Sequence, residues 1–217
     1  MILTDFMSWL QAFIPITLLF LAGWVTPGPN TIAVISTSLT SGRQAGVMVA
    51  LGIASGVIIW AGLAVFGVVL IFELFPVLSI GVKLSGAAYL FWMGTEQLRT
   101  AYRGNGLNIR NEALRHSSQG AFRRGIMVIM TNPKAVFFFG SLLTSFVPAE
   151  ASGVMLGVIV LYSGVFAAVS HSITAAVFST AYIIEKYRTY RKLISTVLGF
   201  LFCVFGLLVI FDLLASF

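Results

Sequence analysis

Apolar residues run along this chain in stretches of about twenty or more, divided by short polar segments. That pattern predicts helices able to cross roughly 30 Å of hydrocarbon. The apolar segments fall at about 9–40, 45–72, 77–98, 125–147, 152–184 and 193–211. Their lengths suit helices, because a membrane barrel would show short alternating strands instead. The fifth segment is long enough that its ends are expected to lie in the interface or to tilt strongly. The expected fold class is an all-α membrane protein with six transmembrane helices.

The first segment is interrupted at Thr26-Pro27-Gly28-Pro29-Asn30. Two prolines remove two backbone donors, the glycine between them favours irregular backbone, and hydrocarbon cannot satisfy the groups this frees. Such a break persists only where protein or a water-filled cavity covers it, so it marks a candidate substrate site. The fourth segment carries a counterpart in Thr131-Asn132-Pro133-Lys134. At 1.5 Å per residue, the first break lies on the order of 20 Å from the Arg43 end of its segment, and the second about 12–15 Å beyond Arg124. Helices 1 and 4 are thus expected to be broken near the midplane.

Basic residues sort to one side of the six spans. Arg43 follows the first; Arg99, Arg103, Arg110, Arg115, Arg123 and Arg124 follow the third; Lys186, Arg188, Arg191 and Lys192 follow the fifth. The other side holds Asp5, Glu73, Glu150 and Asp212, with Lys83 the one base nearby. The positive-inside bias makes the basic side cytoplasmic and places both termini outside. The net charge of +6 is accounted for as a topology signal, and no nucleic-acid partner is expected.

The polar stretch 101–121 is expected to be a cytoplasmic linker between a first three-helix repeat, 1–100, and a second, 122–217. Gly46-Val47-Met48 and Ser55-Gly56-Val57 reappear as Gly153-Val154-Met155 and Ser163-Gly164-Val165, and 86–94 resembles 199–206. Chance similarity between glycine-rich apolar segments is the alternative, and the matched Pro27 and Pro133 weigh against it. An odd number of spans per half would insert the second upside down, the inverted repeat of many secondary transporters.

Composition narrows the class. The chain is 59% hydrophobic and 9% charged, against about 25% charged residues in soluble domains, and its mean hydropathy is +1.00. Its start lacks a basic region and cleavage pattern, so the first helix is expected to be retained. The one cysteine, Cys203, leaves no disulfide within the chain and no CxxC relay.

Chemistry concentrates at the breaks. A half-helix start offers unpaired amides and partial positive charge, which suits a carboxylate. Asn132 with Pro133 is one such start; Asn30 or Thr31 is expected to cap the other. Lys134 costs at least about 2.5–3.5 kcal/mol at this depth. It either meets a substrate carboxylate or snorkels and pairs with carbonyls. The candidate substrate-binding residues are Thr26, Pro27, Gly28, Pro29, Asn30, Thr31, Thr131, Asn132, Pro133 and Lys134, with carbonyls near Thr26 and Thr131 receiving an ammonium. His171 either carries a coupling proton or makes a hydrogen bond between helices. Trp60 reads as packing.

No acid lies at a span centre, which argues against a metal carrier. Phosphate loops, zinc spacings and nucleophile triads are absent, so no enzyme and no cofactor are expected. The small-residue pairs Gly52/Gly56 and Gly153/Gly157 permit close helix contact within a protomer or in a homodimer.

Pro27-Gly28-Pro29-Asn30, Ser41-Gly42-Arg43-Gln44-Ala45-Gly46, Gly52, Gly56, the run 83–90 with Gly94, and Asn132-Pro133-Lys134-Ala135 together resemble the LysE/RhtB family of amino-acid exporters. The likeness is specific over about 22–146 and weaker beyond. Trp60-Ala61-Gly62 and Phe139-Gly140-Ser141 are most similar to its threonine and homoserine exporters. The resemblance implies inner-membrane efflux of a small neutral amino acid, coupled to proton exchange. Some members have an acid where Asn30 stands or a histidine where Trp60 stands, which leaves His171 as the candidate proton carrier here. Export of a leucine-like or basic amino acid, or a non-transporting assembly role, are the alternatives.

Overall fold

The computed structural model of the chain describes residues 2–26, 28–74, 76–103, 117–132, 134–135, 138–143, 146–148, 151–179 and 181–215. Every regular element among them is helical: α1 Ile2–Val25, α2 Pro29–Ser41, α3 Arg43–Leu74, α4 Pro76–Arg103, α5 Ser118–Met130, a π-helical segment Phe138–Leu143, α6 Gly153–Val177 and α7 Ala181–Ala215. Local sequence sets several ends. Pro29 and Pro76 stand first in α2 and α4, where no amide hydrogen bond is lost. Ser117 Oγ accepts from the Gly120 N–H and Ser152 Oγ from the Met155 N–H, each at 3.2 Å, capping α5 and α6. Gly42, with φ 88°, makes the turn from α2 to α3.

Among the described residues, three helical stretches are long and apolar enough to cross a bilayer unaided: Arg43–Gly67, Gly153–Val177 and Lys192–Phe211. A fourth results if Trp9–Val25 and Pro29–Ser41, bent by 51°, form one broken span. In α6, Ser163, Ser170, His171 and Thr174 are buried, whereas Val154, Leu161, Val165 and Val169 are exposed. Polar side chains inside and large apolar ones outside are what a helix facing lipid requires. This is a multi-pass membrane protein.

Two expected boundaries move. The fifth segment, drawn to 184, ends as a helix at Val177, and Phe178 and Ser179 form a turn. Its remainder belongs to α7, which begins at Ala181 and carries the basic stretch as helix. No interfacial ends or strong tilt are then needed to fit an overlong span. Most of the expected linker lies outside the described residues; its ends are α4, reaching Arg103, and α5, starting at Ser118.

Contacts fix the relative directions of the helices. Gly52 faces Phe122 and Ile126, and Gly56 faces Ile129, so α3 and α5 run parallel. Gly164 meets Ile58 and Gly46 meets Ala175, so α3 and α6 are antiparallel. Thr17 Oγ1 lies 2.7 Å from Tyr162 Oη, and the Trp24 indole donates to Thr174 Oγ1 at 2.8 Å, so α1 and α6 run parallel. Gly94 faces Gly199 and Gly206 faces Ala87, which makes α4 and α7 antiparallel.

Two of these crossings have no room for a side chain. A Cβ at Gly52 would collide with the Phe122 carbonyl, and one at Gly125 with the Val49 carbonyl. Across α4 and α7, a Cβ on Gly94 or on Gly199 would approach the other's carbonyl oxygen to 2.9 Å. The Gly52/Gly56 pair therefore packs within the protomer, whereas Gly153 and Gly157 have nothing within 4 Å. Gly125→Ala should destabilise the protein by about 1–3 kcal/mol through overpacking against rigid backbone. Gly157→Ala should leave the midpoint of thermal unfolding in detergent unchanged or raised. Equal effects of the two substitutions would contradict this packing.

Candidate functional site

Proline chemistry builds the site. A helical carbonyl normally accepts from the amide four residues ahead. The acceptor paired that way with position 27 is Gly23, and the one paired with position 133 is Ile129; proline offers neither an N–H. The Lys134 ammonium donates to the Gly23 carbonyl at 3.4 Å. The Ile129 carbonyl instead receives the Trp60 indole N–H and the Asn132 N–H, each at 3.3 Å. Each break is thus served by a donor from the other half of the chain. Trp60 packs against the hydrophobic core as its position implied, and in addition supplies this hydrogen bond to Ile129, which the sequence did not indicate.

The two breaks meet directly. Asn132 Nδ2 donates to Asn30 Oδ1 at 3.1 Å, bringing together side chains 102 positions apart. Pro27 and Pro133 themselves lie outside the described residues. After the first break, Gly28 is the N-cap of α2 in extended conformation, and Pro29 is the first helical residue. Neither Asn30 nor Thr31 caps this helix, contrary to expectation, because Pro29 fixes its start two residues earlier. The Gly28 carbonyl accepts from the Ile32 N–H at 2.9 Å. With no side-chain cap hydrogen bond, the first amides of α2 remain for a ligand or water.

The second break is arranged differently. Asn132 is a cap as expected: its Oδ1 accepts from the Lys134 N–H at 3.0 Å and its carbonyl from the Ala135 N–H at 2.9 Å. Those amides are already used. What this side offers an anion is the Lys134 ammonium, whose Nζ passes 3.9 Å from a Cβ built on Gly28. The ammonium therefore stands between the carbonyl end of α1 and the amide end of α2.

Around these groups is a cavity of about 90 Å³, room for about three waters. Thr26, Gly28, Asn30, Thr31, Asn132, Lys134 and His171 all line it. Pro29 is exposed and Thr131 points outward, its hydroxyl donating to the Met127 carbonyl at 2.7 Å; neither is among the lining residues. Thr26 is buried, with its hydroxyl donating to the Ala22 carbonyl at 2.6 Å. His171 Nδ1 donates to the Ala167 carbonyl at 3.0 Å. Because a carbonyl can only accept, Nδ1 carries the proton in this contact and Nε2 is the acceptor.

Several lining residues were not singled out from sequence. Phe20 and Trp24 of α1, Phe138 and Phe139 of the π-helical segment, and Phe166 of α6 form apolar walls. Phe20 stacks on Phe138 at 5.5 Å and on Phe166 at 5.4 Å between ring centroids. Ser163 and Ser170 join His171 on one face of α6. Ser163, Phe166 and Ser170, spaced three, four and seven apart along that helix, were the available signal. Among the described lining residues, Lys134 and His171 are the titratable ones capable of carrying positive charge, and none is acidic.

The chain is 29% identical over 205 residues to the threonine efflux protein of Escherichia coli K12, covering 91% of this chain and 97% of that one. It is 28% identical over 205 residues to the threonine efflux protein of Salmonella typhimurium, with the same coverage. An uncharacterised membrane protein of Pseudomonas aeruginosa is 33% identical over 151 residues, 67% of this chain and 65% of that one. No solved structure matches. Residues 21–213 match the family model described as LysE type translocator, and the chain belongs to that family of transporters.

Proposed function

We propose that the chain exports a small neutral amino acid, threonine-like or homoserine-like, from the cytoplasm across the inner membrane. The threonine efflux relatives support this substrate class. The observation that carries it is the Lys134 ammonium beside the uncapped start of α2, in a cavity with no acid among its described lining residues. A carboxylate placed there would meet a full positive charge and the amides of Asn30 and Thr31. Asn132, held against Asn30, fixes the second break beside the first.

The architecture proposed is six spans in two inverted repeats, 1–100 and 122–217, joined by a cytoplasmic linker at 101–121. Both termini face outward. The helix directions support alternation: α3 parallel to α5, α1 parallel to α6, and α3 antiparallel to α6. The near-reciprocal contacts of Gly94 with Gly199 and Gly206 with Ala87 fit a two-fold relation between α4 and α7. Rocking of the repeats about the paired breaks would open the cavity to each side in turn. Proton exchange drives the cycle, with His171 as the group that carries the proton.

Cells expressing Lys134→Ala or Pro27→Ala protein at normal membrane levels should lose protection against excess threonine or homoserine. Full protection by both variants would overturn the site. In proteoliposomes loaded with single amino acids, threonine or homoserine should support counterflow at least tenfold faster than leucine or lysine. Faster exchange of leucine or lysine would reassign the substrate. His171→Gln, which keeps an acceptor oxygen but cannot take up a proton, should abolish efflux driven by a pH gradient while counterflow stays measurable, though slower, and unchanged gradient-driven efflux would make His171 structural.

A further inference from the structure

The cavity is polarised in its hydrogen bonding, and the polarity runs from α2 to α6. A serine hydroxyl has one proton to give and two lone pairs. Ser163 Oγ spends its proton on the Ile159 carbonyl at 2.7 Å, and Ser170 Oγ on the Ala167 carbonyl at 3.3 Å. His171 likewise gives its Nδ1 proton to Ala167 at 3.0 Å, with Ser170 Oγ 3.4 Å away as a weaker second acceptor that keeps one lone pair for the cavity. Both serines and the histidine are buried and line the cavity. What α6 presents is therefore three acceptors, Ser163 Oγ, Ser170 Oγ and His171 Nε2, with no donor among them. Elsewhere the lining presents donors, the Lys134 ammonium and the α2 amides.

We infer that this face of α6 is the subsite for the substrate's ammonium, an inference that rests on the amino-acid export reading above. A zwitterion fits the cavity in one orientation, its carboxylate toward Lys134 and its ammonium toward Ser163, Ser170 and His171. Thr131, whose hydroxyl is turned outward, takes no part. The assignment also gives His171 a way to couple exchange. A proton on Nε2 removes that acceptor and adds a like charge, so proton and ammonium exclude one another there. Lys134 is the other basic group lining the cavity among the described residues.

The test is inhibition of labelled-threonine counterflow in proteoliposomes by threonine, by 3-hydroxybutyrate, which lacks the amino group, and by 1-amino-2-propanol, which lacks the carboxylate. Wild-type protein should prefer threonine to 3-hydroxybutyrate by tenfold or more. The double variant Ser163→Ala, Ser170→Ala should raise the half-inhibiting concentration of threonine by about tenfold. It should leave that of 3-hydroxybutyrate within about twofold, which also shows that the carboxylate end of the site is intact. The same double variant should weaken inhibition by 1-amino-2-propanol, which keeps the amino group, about as much as it weakens that by threonine. Equal weakening of threonine and 3-hydroxybutyrate by the serine variant, or no change in either, would overturn the subsite while leaving the export reading standing. Absence of wild-type counterflow for every amino acid would overturn both.

Discussion

A backbone carbonyl in apolar surroundings needs a donor, and this chain denies one to two carbonyls by placing prolines at 27 and 133. The remedy could have been local, a water or a neighbouring hydroxyl, as Thr26 does for Ala22. For Ile129 it is partly so, through the Asn132 N–H, but its carbonyl also receives the Trp60 indole and the Gly23 carbonyl receives Lys134, each donor coming from the opposite half. That choice makes each break dependent on the other half of the chain. It also draws a lysine into a cavity whose other walls are largely aromatic and apolar.

The cross-supply works because the helices approach closely. Gly52 and Gly125 remove side chains where α3 crosses α5, and this holds the end of α5 near Trp60 and the Asn132 turn near Asn30. In a bilayer such contact rests on packing rather than on expulsion of water. The aromatic group of Phe20, Phe138 and Phe166 then seals the apolar side of the cavity. Backbone chemistry places the polar groups, and close packing keeps them in register.

The parts legible in sequence were those where residue type alone forces an outcome. A Pro-Gly-Pro inside an apolar run has to break and a lysine inside an apolar segment has to find acceptors, and Gly28 and Lys134 both line the cavity. The phase of a helix end was not legible: Thr131 and Asn132 are neighbours, yet one faces outward and the other inward. The N-cap was misplaced because Asn30 has the stronger intrinsic preference, whereas Pro29 dictates the start. The boundary near 178 was hidden because apolar residues continue through the turn into α7. Ser163 and Ser170 gave a weak signal, since small hydroxyl residues are common in membrane helices and each satisfies its own turn. The six-span count rests partly on segments whose apolarity is lower or whose residues lie outside those described.

The lone ammonium in the cavity also bears on how voltage acts. With His171 neutral, the described lining carries a single positive charge when empty, and a bound zwitterion leaves that total unchanged. Moving an elementary charge through 100 mV is worth about 2.3 kcal/mol, but the same charge would make the outward and the return journey. An electric field then favours neither the filled nor the vacant carrier. Any rectification by membrane potential has to enter through a second ion whose occupancy differs between the two strokes.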